Sequence, residues 1–149
     1  MNVSQKCQYA LRAVFELAKR RGEGPTTVAD IAKAQAIPAK FLELILGQLR
    51  QGGFTESRRG ARGGYLLAAA PEVLAVGDII RFVDGEFAPV KCIGGGAGSD
   101  CPLHGSCAFM DMWTRARDAV TEVYDTTTFQ NLIDAERSAT EGYVAKYCI

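Results

Sequence analysis

Ile37-Pro38-Ala39-Lys40-Phe41-Leu42-Glu43-Leu44-Ile45-Leu46-Gly47-Gln48-Leu49-Arg50-Gln51-Gly52-Gly53 runs directly into Phe54-Thr55-Glu56-Ser57-Arg58-Arg59-Gly60-Ala61-Arg62-Gly63-Gly64-Tyr65-Leu66-Leu67. The first part reads as a helix. Pro38 suits a first turn, where its missing amide costs nothing. Phe41, Leu42, Ile45 and Leu49 recur at helical spacing as a stripe to bury, and Gly52-Gly53 ends the run. The second part holds two short β-prone runs around a Gly/Arg-rich tip, which predicts a hairpin.

Upstream, Thr26 or Thr27 can cap a short helix to about Lys33, with Val28, Ile31 and Ala32 inward. Gln35-Ala36-Ile37 is then a tight connection. Two short helices joined this way, the second opening with exposed polar residues, describe a helix-turn-helix, and a hairpin directly behind it is a wing. Further upstream, Ser4 can cap a helix over 5–21 that carries Leu11, Val14, Phe15 and Ala18 at helical spacing, stopped by Gly22, Gly24 and Pro25. The expected fold is mainly α with a small β-hairpin wing.

Composition sets the frame. The chain has 149 residues, 48% of them apolar and 23% charged, enough to form one domain with a core. No run reaches the roughly 20 apolar residues of a membrane span, and the first residues lack the apolar core of a signal peptide, so a cytoplasmic protein is expected. The net charge of zero hides a split: residues 1–65 carry 11 Lys+Arg against 5 Asp+Glu, and the remainder carries 6 against 12. A basic half suits a polyanion such as double-stranded DNA. Arg58, Arg59 and Arg62, on a loop freed by Gly60, would lie against phosphates or enter a narrow minor groove. Ala39, Lys40 and Glu43 sit opposite the apolar stripe of the groove helix. Lys40 could reach a phosphate or a guanine edge; Glu43 either accepts from a cytosine amino group or is simply solvated.

Five cysteines, Cys7, Cys92, Cys101, Cys107 and Cys148, do not suggest a disulfide framework. Cys92, Cys101 and Cys107 are separated by eight and five residues, with five glycines from Gly94 to Gly105 between them. Thiolates brought together need a cation or cluster, and soft sulfur favours zinc or iron–sulfur, between which spacing does not choose. Cys107 would also sit at the start of a long helix, whose dipole favours thiolate. A site without metal, using its thiols as a redox switch, also remains open. His104, the single histidine of the chain, lies between Cys101 and Cys107 and is the local candidate for a further ligand. Because that histidine is in the cysteine loop and no Gly-rich phosphate loop is present, an enzyme is not expected.

Beyond the hairpin, residues 73–83 have helical spacing at Val76, Ile79, Ile80 and Val83, and residues 108–125 carry Met112, Trp113, Ala116, Val120 and Val123 on one stripe. Phe129, Leu132 and Ile133 predict a further short helix after Thr126-Thr127-Thr128. The long helix can bury its stripe internally or against a second copy.

Several blocks in order carry a resemblance: Ser4-x-x-Cys7-x-Tyr9-Ala10-Leu11, Ile37-Pro38-x-x-Phe41-Leu42, Arg59-Gly60 with Gly63-Gly64-Tyr65, Val76-Gly77-Asp78-Ile79-Ile80, and the cysteine loop. From residue 1 to about 128 the chain resembles the IscR/NsrR type of bacterial iron–sulfur transcription regulators, the Rrf family. The resemblance implies a homodimeric winged-helix repressor or activator. It divides the chain into a DNA-binding domain over 1–90, a cluster loop over 91–107 and a dimerisation helix with tail over 108–149. It also implies a 2Fe–2S or 4Fe–4S cluster on Cys92, Cys101 and Cys107. The histidine of the IscR type three residues past the last cysteine is Met110 here, which leaves the fourth ligand to His104 or to another group. Cluster gain or loss would then reset the spacing of two recognition helices. The rival reading is a winged-helix regulator without a cluster, using a thiol switch, zinc or a small-molecule effector.

Overall fold

Ser4 is extended, and its hydroxyl accepts the amide of Cys7 at 3.0 Å, which starts α1 (Gln5–Lys19). The structure, a computed structural model, describes residues 3–94 and 101–147. On α1 the buried positions are Cys7, Ala10, Ala13, Val14, Glu16, Leu17 and Ala18, while the expected Leu11 and Phe15 pack at the edge of the core. Small residues at 10, 13 and 18 let neighbouring elements approach α1 closely.

Thr27, rather than Thr26, caps α2 (Val28–Gln35) by accepting the amide of Asp30 at 3.2 Å. The helix ends on Ala36 in the left-handed region at φ 50°. Ile37 is buried, and α3 (Ala39–Gln51) follows. Pro38 stands just before the helix at the N-cap rather than within the first turn, and its carbonyl accepts the amide of Leu42. Leu42, Ile45, Leu46 and Leu49 form the buried stripe. Phe41 does not belong to it. That side chain is 61% exposed, because its direction falls on the flank beside Leu44 and Leu46 takes the inward position.

β1 (Thr55–Arg58) and β2 (Gly64–Leu67) pair antiparallel, with Thr55 opposite Leu67 and Arg58 opposite Gly64. Thr26 adds a bridge on the other side of β2, exchanging hydrogen bonds of 2.9 and 2.8 Å with Tyr65. Gly64 is required there: its φ is +150°, and a Cβ would strike the Thr26 backbone.

The predicted helix over 73–83 begins later, as α4 (Val76–Asp84); Val73 is exposed and precedes it. It packs on α1 and α5, and Phe82 meets Phe54 at 5.1 Å between ring centroids. After a 3₁₀ turn over Lys91–Ile93 come α5 (Met110–Thr126) and α6 (Phe129–Tyr147). The last helix, expected to be short, has 19 residues. Its first residue, Phe129, is fully buried in the same core as Leu42, Leu49 and Ile79. An isolated bridge between Ala75 and Thr128 holds the α5–α6 junction against the start of α4.

Candidate functional site

The helix-turn-helix is oriented by a polar tie between α1 and α2. Glu16 is buried, and its carboxylate receives Arg20 Nε at 2.6 Å and Gln35 Nε2 at 2.7 Å. Burial opposes its charge, but the hydrogen bonds from Gln35 and Arg20 win and hold the carboxyl below its ordinary value. Arg12 donates to the carbonyl of Gln35, so the end of α2 is held twice. This places α3 with Ala39, Lys40 and Glu43 all exposed.

The wing tip spans Arg59, Gly60, Ala61, Arg62 and Gly63, closed by a 2.9 Å bond from the Gly63 amide to the Gly60 carbonyl. Arg58, Arg59, Gly60 and Arg62 are exposed. Among the described residues, none of Lys40, Arg58, Arg59 and Arg62 is in an ion pair within the chain. Arg50 near the end of α3 donates to Ser57 Oγ at 3.0 Å, joining the helix to β1. The candidate DNA-contact residues therefore occupy two exposed features, the first turns of α3 and the hairpin tip, on elements packed against each other.

Cys92 lies half-buried in the Lys91–Ile93 turn, which rests against α5: the Ile93 carbonyl accepts Arg117 Nη1 at 3.3 Å. Cys101 is exposed, and its carbonyl accepts the amide of His104 at 2.9 Å; the His104 side chain is exposed. Cys107 is half-buried, and its carbonyl accepts the amide of Met110. The helix begins at Met110, so Cys107 stands three residues before it rather than at its start as expected. All three cysteines are free thiols. Among the described residues no group of three or more His, Cys, Asp or Glu side chains is placed to hold a metal ion; residues 95–100, between Cys92 and Cys101, lie outside them. Cys148 is also outside the described residues. Cys7 is fully buried, and burial together with the nearby Asp84 carboxylate pushes its thiol up to about 12.

The bridge from Thr26 to the wing, the buried Glu16, and Arg117 against the Cys92 turn did not emerge from sequence reasoning. Only Thr26 carried a visible signal, since two adjacent threonines competed for one cap.

Residues 3–135 match the Rrf2 family, described as an iron-dependent transcriptional regulator. The chain belongs to the Rrf2 family. The Rrf2 relative CymR of Bacillus subtilis (strain 168), an HTH-type transcriptional regulator, is 38% identical over 144 residues, covering 97% of this chain and 98% of the relative. The solved structure of CymR, the global cysteine regulator of that organism, superposes with a TM-score of 0.77 over 91% of this chain and 98% of that one. T. potens IscR superposes with a TM-score of 0.72 at 31% identity, covering 93% and 90%. An oxidized form of Staphylococcus aureus CymR gives 0.68 at 36% identity, covering 89% and 95%. These Rrf2 proteins agree with the mostly helical winged-helix architecture, and the relatives are transcriptional regulators, not enzymes. This Rrf2 chain is thus a DNA-binding transcriptional regulator, and among its described residues no helix is long and apolar enough to cross a membrane.

Proposed function

We propose that this protein is a homodimeric cytoplasmic regulator whose operator affinity is controlled by an iron–sulfur cluster held by Cys92, Cys101 and Cys107. The observation that carries the reading is the donor set: three free, non-buried thiols on the segment that leads from the winged helix into α5, while Cys7 is sealed in the core. Soft thiolate donors in a glycine-rich loop suit a 2Fe–2S or 4Fe–4S cluster. When bound, such a cluster supplies a redox-sensitive tie between three points of the loop. His104, exposed between Cys101 and Cys107, is the fourth donor on this reading. The family description and the T. potens IscR relative support it.

The chain's own residues do the rest. Residues 1–90 bind DNA, 91–107 hold the cluster, and 108–149 carry the dimer contact. On α5 and just before it Phe109, Met112 and Val123 are exposed, an apolar face suited to a second copy. Lys40, Arg58, Arg59 and Arg62 neutralise phosphates, while Ala39 and Glu43 face base edges and Gly60 lets the tip approach the minor groove. Two such units place two α3 helices about one DNA turn apart. Arg117, bonded to the Ile93 carbonyl, links the Cys92 turn to α5, so an ordered loop fixes that helix.

The test is a visible absorption spectrum of anaerobically purified protein, with iron and sulfide counted per chain. Brown protein with matched iron and sulfide is expected, and Cys92→Ala, Cys101→Ala and Cys107→Ala should lose colour and change operator affinity. Colourless protein that resists reconstitution overturns the cluster. A thiol switch is the second reading, favoured by the CymR relative solved in an oxidized form and by the exposure of Cys101. Operator affinity that falls with peroxide and returns with thiol reductant, in iron-free protein, would select it.

A further inference from the structure

We infer that Leu44 and Phe41 read thymine in the operator, by apolar contact with the C5-methyl groups on the floor of the major groove. The inference rests on α3 being the groove helix, as proposed above. The core stripe of α3 is complete without these residues: Leu42, Leu46 and Leu49 are 0% exposed and Ile45 3%, whereas Phe41 and Leu44 are each 61% exposed. Two large apolar side chains in water on an otherwise polar face need an occupant. They are three positions apart, hence neighbours on the helix surface, and Leu44 stands one turn beyond Lys40.

Charge names the occupant. The pair is flanked by Lys40, Glu43 and Gln48 on α3, a helix that packs on α1, on α2 and on the first strand of the hairpin bearing Arg58, Arg59 and Arg62. A protein partner would need about 800 Å² of apolar-centred surface, which two side chains among charges do not offer. A polyanion fits the charges, and the thymine methyl is the apolar feature that double-stranded DNA presents in its major groove. With Glu43 accepting from a cytosine amino group, each half-site would combine a cytosine with neighbouring thymines.

The test uses duplexes selected from a random pool by the wild-type protein, with single thymines then replaced by uracil, which removes only the methyl group. The wild type should bind about threefold to fivefold more weakly for each contacted methyl removed. Leu44→Ala should lose that discrimination at one position, and Phe41→Ala at another. Both side chains are exposed, so folding is retained, as circular dichroism would verify. If wild-type protein binds thymine and uracil alike everywhere while Lys40→Ala and Arg59→Ala still weaken binding, the groove helix stands and this inference falls. If sensitivity to uracil persists in both variants, the methyl acts through duplex shape and the inference also falls. If Lys40→Ala, Glu43→Ala and Arg59→Ala all bind as wild type, the groove reading itself is lost, and the inference with it.

Discussion

Held between α1 and the end of α2, the Glu16 carboxylate is saturated by Arg20 and Gln35. Its folded-state value lies below the ordinary 4.5, so its stabilisation is complete above that pH and disappears as pH falls through the folded value. Glu16→Ala should therefore cost about 1–3 kcal/mol at neutral pH, from the unpaired partners it leaves. The gap from wild type should shrink in acid, measured by urea denaturation across pH. Cys7 is the opposite case, a thiol kept neutral by burial and by Asp84. Native alkylation of iron-free protein should modify Cys92, Cys101 and Cys107 while leaving Cys7 untouched until unfolding, a pattern mass spectrometry resolves. Neither environment could be read from sequence. Glu16 sits between Phe15 and Leu17, and a charge on a helix is ordinarily solvated; its partner Gln35 lies 19 residues away. Phe41 erred the other way. Hydrophobicity marked it for the core, and only the packed direction of α3 showed Leu46 in its stead.

At the scale of elements, α1 to α3 and the hairpin were legible because caps, apolar spacing and glycines agreed, and Ser4, Thr27 and Gly52 do stand at the ends of their helices. Long-range pairing was not legible. Thr26 could be seen only as a cap, since a single-residue bridge has no period. Arg59 is exposed at the wing tip and in no ion pair among the described residues, so Arg59→Ala should leave the melting temperature unchanged. It should weaken operator binding and lower the slope of log affinity against log salt by about one. Fluorescence anisotropy over a salt series measures both, and an unchanged slope would remove Arg59 from the interface. The cysteine loop shows the limit of sequence reading most clearly. Spacing and glycine content suggested a common site, but the placement of the Cys92 turn depends on a bond from Arg117 to Ile93, residues 24 apart.

Across the whole molecule, α6 was underestimated because its later residues, from Asp134 through Glu141, are exposed and, apart from Ala135 and Ala139, polar, and show no stripe. Phe129, Leu132 and Ile133 join the core, and with them the start of α6 becomes part of the winged helix's own interior. Phe129→Ala should cost about 3–5 kcal/mol and lower the melting point by several degrees, in one cooperative transition seen by calorimetry. Separate transitions for the C-terminal helix and the remainder would contradict a shared core. The same burial has a mechanical corollary. The C-terminal end of α5 is pinned, by Phe129, by the bridge from Thr128 to Ala75 and by Asp125 on Arg81 at 2.5 Å, while nearer its middle Arg117 holds the Ile93 carbonyl. Seventeen residues make a lever about 25 Å long with its fulcrum at the winged helix. Its pinned end bears on α4 through Asp125 and Arg81, and α4 in turn sets Phe82 against Gly52 and Phe54, where α3 ends and the wing begins.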